Sequence, residues 1–317
     1  MKLKGPKAGV MAVASAALVV AAVVYVVPLA RERSQNVALG RQWADLLAKH
    51  ATFSGRQPSP TADVSFTYAA PTDENLARLR ELYDLDAIAG RGPEVERIIK
   101  LARWVFLLTG HADEPEIPKE LNAFNLIHLA KDEHMQINCA MKTIILNEVY
   151  LAMGWPSRQT HLLPAEKEEE ASHYITSVYA RSLGKWMMMD PDMGAYVTDE
   201  KGMILGVAEI RSRLISDRPL RVKDLVDAGR LESARNAWSN FTRGVDYLWF
   251  LSDFLFKIQC PQRSVFNLAA ELKQVRFELI PDGYREDLLQ TPRTDERGRK
   301  IISINDEGLF WQRPSGE

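Results

Sequence analysis

The stretch from Asn138 to Pro191 constrains this chain most, because it prescribes a helix, a strand and a hairpin in close succession. Ile144, Ile145, Leu146, Val149, Ala152 and Met153 recur at helical spacing, and Gly154 with Pro156 ends the pattern. Asn138 is a suitable N-cap, which puts Cys139 in the first turn. Residues 160–163 read as a strand. Residues 173–179 are rich in β-branched and aromatic types, and residues 186–190 form a second apolar run. The polar link 180–185, with Gly184, suits a short hairpin loop between them.

That order brings together groups with usable chemistry. Cys139 is one of only two cysteines in 317 residues, which excludes a disulfide framework. At a helix start, exposed amides and the positive end of the dipole favour a thiolate and can hold a developing oxyanion. A hairpin loop centred near Ser182 and Leu183 sets His173 opposite Asp190 or its neighbour. Cross-strand Cβ atoms lie about 5 Å apart, close enough for a carboxylate to fix an imidazole tautomer. Cysteine, histidine and aspartate then suit the roles of nucleophile, base and orienter. His134 competes as the base, but no hairpin orients it. Asp192 competes with Asp190 as the orienter. Trp186 and Met187 to Met189 read as core, and Cys260 as a free, structural cysteine.

Together these pieces resemble the transglutaminase-like superfamily of papain-like cysteine enzymes. Carrying the resemblance are Cys139 opening a helix, His173 opening a strand, and Gly184-Lys185-Trp186 leading into Asp190-Pro191. The stretch Leu151-Ala152-Met153-Gly154-Trp155-Pro156-Ser157-Arg158 is similar to that family's helix-ending Gly-x-Pro-x-Arg. The likeness runs from about residue 95 to 215. It implies an α+β fold with a papain-like/transglutaminase-like core, the nucleophile at a helix N-terminus packed on an antiparallel sheet. It also implies Cys139 as nucleophile, His173 as base and Asp190 as orienter. Many members place a glycine shortly before the cysteine. Here Gln136-Ile137-Asn138 stands there, which leaves the second oxyanion donor open between Gln136 and Trp104. The expected activity is thiol-dependent amide hydrolysis of a peptide or protein through an acyl-enzyme on Cys139, without cofactor or metal. Transfer to an amine, or a catalytically silent peptide-binding module, are the alternatives.

The N-terminus bears on location. Lys2, Lys4 and Lys7 precede an uncharged apolar run over residues 10–30, followed by Arg31, Glu32 and Arg33. A run of about 20 apolar residues suffices to cross a bilayer as a helix. The only small-residue cleavage site, Pro28-Leu29-Ala30, is spoiled by proline. A retained transmembrane signal anchor is therefore expected, with the bulk of the chain outside the cytoplasm and secretion after cleavage as the alternative. The expected organisation is a basic cytoplasmic end (1–9), the anchor (10–30), a stalk and linker (31–72), the catalytic domain (73–220) and a C-terminal extension packed on it (221–317). Helical patterns cover 74–86, 93–108 and 208–215. An aromatic helix is predicted over 231–256, with strands over 275–280 and 301–304. The formal charge of −2, mixed along the chain, gives no basis for a nucleic-acid partner.

Overall fold

The computed structural model describes residues 44–55, 64–165, 172–226, 245–271 and 273–315. After a helical stretch at 44–49, Asp73 caps α1 (Glu74–Leu82) by accepting from the Asn75 and Leu76 amides. The single helix predicted over 74–86 is in fact two. Asp84 adopts φ +47°, which interrupts the ladder before α2 (Leu85–Ala89) begins. The amphipathic helix α3 (Glu94–Phe106) follows, then α4 (Ala123–Lys131) and α5 (Cys139–Ala152). The side chain of Asn138 caps α5, accepting from the Met141 amide at 3.1 Å. Gly154 at φ +82° then turns the chain out of the helix and into the sheet.

The central sheet has seven strands: β2 (Ser157–Leu163), β3 (His173–Ala180), β4 (Lys185–Met189), β7 (Lys257–Pro261), β9 (Val275–Leu279), β10 (Arg293–Thr294) and β11 (Lys300–Ile304). Their order is β10-β11-β9-β7-β2-β3-β4, antiparallel except for the β9–β11 pair. The short strands β1 (Thr67–Tyr68) and β8 (Arg263–Ser264) pair in parallel, and β5 (Ala195–Thr198) pairs with β6 (Arg221–Asp224) in antiparallel. Strand alternation feeds two cores. Val178, Ala180, Met187 and Met189 face helices α1 to α5, whereas Ile175 and Met188 join the second core. That core also takes residues from α6 (Val207–Ile215), α7 (Val245–Phe254) and α8 (Glu307–Phe310). The result is a mixed α+β protein whose Cys139 helix, α5, packs on a mostly antiparallel sheet, consistent with the papain-like layout expected.

Residues 73–220 and 221–317 share that sheet: β2, β3 and β4 come from the first range, and β7, β9, β10 and β11 from the second. Within the stretch expected as stalk and linker, Leu47, Val64 and Phe66 are buried in the second core. Arg158 ties the ends together. It is fully buried, lies between the Phe66 and Trp186 rings, and donates to the Tyr68 hydroxyl and the Phe310 carbonyl. Among the described residues no helix is long and apolar enough to cross a membrane. The 10–30 run lies outside them, as does the 231–244 part of the predicted aromatic helix, whose described portion is α7.

Candidate functional site

Cys139 is the first residue of α5 and His173 the first of β3. The Met141 and Lys142 amides are taken by the side chain and carbonyl of Asn138. Those of Cys139 and Ala140 stand at the open end of the turn. The β3–β4 register pairs Thr176 with Met189 and Ala180 with Lys185, so the loop centre falls between Ser182 and Leu183 as predicted. That register corrects the partner, however. Continued past Met189 it sets Asp190 opposite Ile175, on the same face as His173 and diagonal to it. The imidazole bridges that diagonal: His173 Nε2 donates to Asp190 Oδ2 at 2.7 Å, which leaves Nδ1 for the thiol.

Asp190 is fully buried and fully engaged. Oδ2 also accepts from the Tyr247 hydroxyl at 2.9 Å, and Oδ1 accepts from the amides of Asp192 and Met193. A tight turn holds these amides in place, closed by reciprocal backbone bonds between Asp190 and Ala195. Burial works against an imidazolium at His173. The Asp190 carboxylate and the neighbouring Cys139 outweigh it and push His173 well above the usual histidine range. Phe250 meets the His173 ring edge-on at 5.0 Å, so α7 covers one side of the histidine.

A second polar cluster adjoins the thiol, and sequence reasoning missed it apart from Asp192. The Asp192 carboxylate sits 3.1 Å from Lys142 Nζ and 2.8 Å from His111 Nδ1, and all three residues are buried. Lys142 is one helical turn after Cys139. His111 is delivered by its loop, which bridges to Ile137 just before α5. Burial raises the Asp192 carboxyl, but Lys142 and His111 outweigh it and hold the group below the usual carboxylate range. Burial likewise opposes a charged His111, and Asp192 with Asp113 overcomes it. Lys142 and His111 thus place two donors on the Asp192 carboxylate next to the thiol.

Cys139, His173 and Asp192 each offer one ligand atom, and these atoms lie within 4.8 Å of one another. Three metal ligands can share such a spacing. The Lys142 ammonium already on Asp192 opposes a cation there. Of the other sequence candidates, His134 is exposed at φ +54° in the preceding loop. Gln136 is exposed, and Trp104 packs beside Tyr83 in the helical layer. Gln159, one strand over, directs its amide to the Ala140 carbonyl and the Thr143 hydroxyl. Cys260 is buried and free on β7, with the Thr160 hydroxyl 3.5 Å away.

No protein-family model matches this chain, and no curated protein matches it. Among solved structures, the fold is similar to one described as "a Putative Cysteine Protease from Cytophaga hutchinsonii". The two are 11% identical with a TM-score of 0.30, over 46% of this chain and 50% of the other, so the match spans half the length of that protein. A likeness of that size carries no argument about chemistry. The chemistry rests on the arrangement of Cys139, His173 and Asp190.

Proposed function

We propose that the protein is a thiol-dependent amide-bond hydrolase. The observation that carries this reading is His173, buried between the Cys139 thiol and a carboxylate whose acceptor positions are already filled. The Cys139 thiolate would attack the amide carbonyl, and the first-turn amides of α5 would receive the oxyanion. The carbon–nitrogen bond breaks as His173 gives its proton to the leaving amine. Water then attacks the thioester, passes a proton to His173, and expels the thiolate. Nothing in this sequence of steps calls for a metal. Resemblance to transglutaminase-like enzymes supports the same roles and leaves the second oxyanion donor open between Gln136 and Trp104.

The test is to expose purified protein to a peptide library with and without an added amine. Free acids as products would support hydrolysis, and amine adducts would make the protein an acyltransferase. An unlabelled Cys139 together with no turnover would reduce it to a binding module. We further propose that residues 10–30 anchor the protein with its folded part outside the cytoplasm. Full-length protein should then stay in the membrane pellet through a high-salt wash, and soluble protein beginning at Arg31 would refute the anchor.

A further inference from the structure

Arg276, on β9, is 1% exposed, and its Nε and Nη2 are buried without a hydrogen-bond partner. A guanidinium in that state is costly unless an anion joins it. Of the other large buried arginines, Arg158 leaves Nη2 alone unpartnered and donates to the Tyr68 hydroxyl and the Phe310 carbonyl, and Arg211 donates to the carbonyls of His50, Ala51 and Leu255. The carboxylates around Arg276 are engaged elsewhere. Glu278 binds Arg293, Gln259 and Ser303, and Asp295 holds Arg299. Glu148 accepts from the amides of Ala123 and Asn267, and Glu271 pairs with Arg263.

Arg276 lines a cavity of about 500 Å³, within the usual range for ligand sites. Its wall includes Asn138 and Ala140, the neighbours of Cys139, and Tyr174, the neighbour of His173. Arg297 and Arg299 also line it, the first exposed and the second half-buried. His161 stacks on Tyr174 at 3.9 Å. Burial, reinforced by the charges of Arg276, Arg299 and Arg297, pushes it well below the usual histidine range. So the cavity has a cationic side at Arg276, Arg297 and Arg299, whereas the two carboxylates that also line it are held elsewhere, Glu148 by the Ala123 and Asn267 amides and Glu271 by Arg263.

We propose that this cavity receives a carboxylate of the substrate, gripped through both oxygens by Arg276, with Arg299 and Arg297 at its mouth. The spacing follows from the sheet. Gln159, bonded to the first turn of α5, lies on β2, and Arg276 lies two strands away on β9. At about 4.8 Å per strand, the carboxylate sits roughly 10 Å from that turn, about three residues of extended peptide. A chain-terminal carboxylate and an acidic side chain at that position share this chemistry. The proposal rests on the hydrolase reading for its chemistry, but its binding does not need turnover.

The experiment uses Cys139→Ala protein and three acetylated peptides differing only three residues beyond the scissile amide: a free terminal carboxylate, its amide, and an amidated glutamate. Titration calorimetry should show one or both carboxylate peptides binding at least tenfold more tightly than the plain amide. The tighter of the two identifies the source. Adding Arg276→Gln should abolish the preference, while Arg276→Lys, which keeps charge without the fork, should retain part of it. Should Arg276→Gln fail to fold, the Arg276→Lys and Arg299→Gln variants still have to weaken the preference. Equal binding of acid and amide, a preference that survives these changes, or inorganic phosphate binding as tightly as the peptide would overturn the assignment. A preference found in a protein that hydrolyses none of the peptides in its native form would sink the hydrolase reading and leave the carboxylate site standing.

Discussion

On the proposed reading Cys139, His173 and Asp190 divide the labour in ways single substitutions can separate. Cys139→Ala and His173→Ala are each expected to abolish turnover. Asp190→Asn should keep the fold yet lose on the order of 10³- to 10⁴-fold in rate, because the imidazole is then held in the wrong tautomer. Full peptide hydrolysis by Cys139→Ala would dismiss the mechanism. Charge around His173 makes a second prediction. Its pKa is raised, so the imidazolium persists above the ordinary histidine value of 6.5, and the alkaline limb of the pH–rate profile should lie well above that value. The protonated ring stabilises the fold fully below 6.5, and that contribution fades as pH rises through the raised value. Asp190→Asn leaves only Cys139 to oppose burial, so the limb should move down; a limb that stays put would show that Asp190 does not set it. Lys142 offers a third measurement. Lys142→Met removes a cation from the Asp192 cluster, so iodoacetamide should alkylate Cys139 several-fold more slowly at neutral pH. Buried Cys260 is the internal reference.

At the scale of elements, the turn after β4 is the most exacting. Gly194 adopts φ +65°, and a Cβ there would fall 2.7 Å from the Phe106 ring. Gly194→Ala should cost about 2 kcal/mol or more in stability and disturb the amides that hold Asp190. A thermal melt and a rate measurement should both fall, and an unchanged melt would mean the turn adapts freely. The same elements show how much the sequence disclosed. α5 and the β3–β4 hairpin were legible because their signals are local: a cap, a helical period, an alternating pair of runs and a glycine-bearing loop. The diagonal position of Asp190 was not, since it depends on where the ladder stops and the turn to Ala195 takes over. Tyr247 comes from 57 residues further along, and His111 from a loop with no periodic signal, so only the assembled fold brings them to the site. The pattern over residues 74–86 hid a break for a similar reason, because helical periodicity does not register one residue in a left-handed conformation.

The whole molecule depends on strands far apart in sequence. β2 lies between β3 and β7, so a fragment ending at residue 226 would leave one long edge of β2 bare and remove four strands of the central sheet. Such a fragment is expected to show no near-ultraviolet circular dichroism and no cooperative melt. A melt like that of the full chain would make residues 73–220 a self-sufficient domain. Sheets closed over such distances assemble slowly, because the chain entropy is lost before the contacts form. Arg158 makes the order of events plain: its partner carbonyl at Phe310 lies 152 residues downstream. During synthesis a nascent chain therefore displays its cysteine, histidine and aspartate well before it holds a site. Tyr247 must still emerge to brace Asp190, and β7 to cover the edge of β2. On the proposed hydrolase reading, the protein therefore has no finished site until its last strands have left the ribosome.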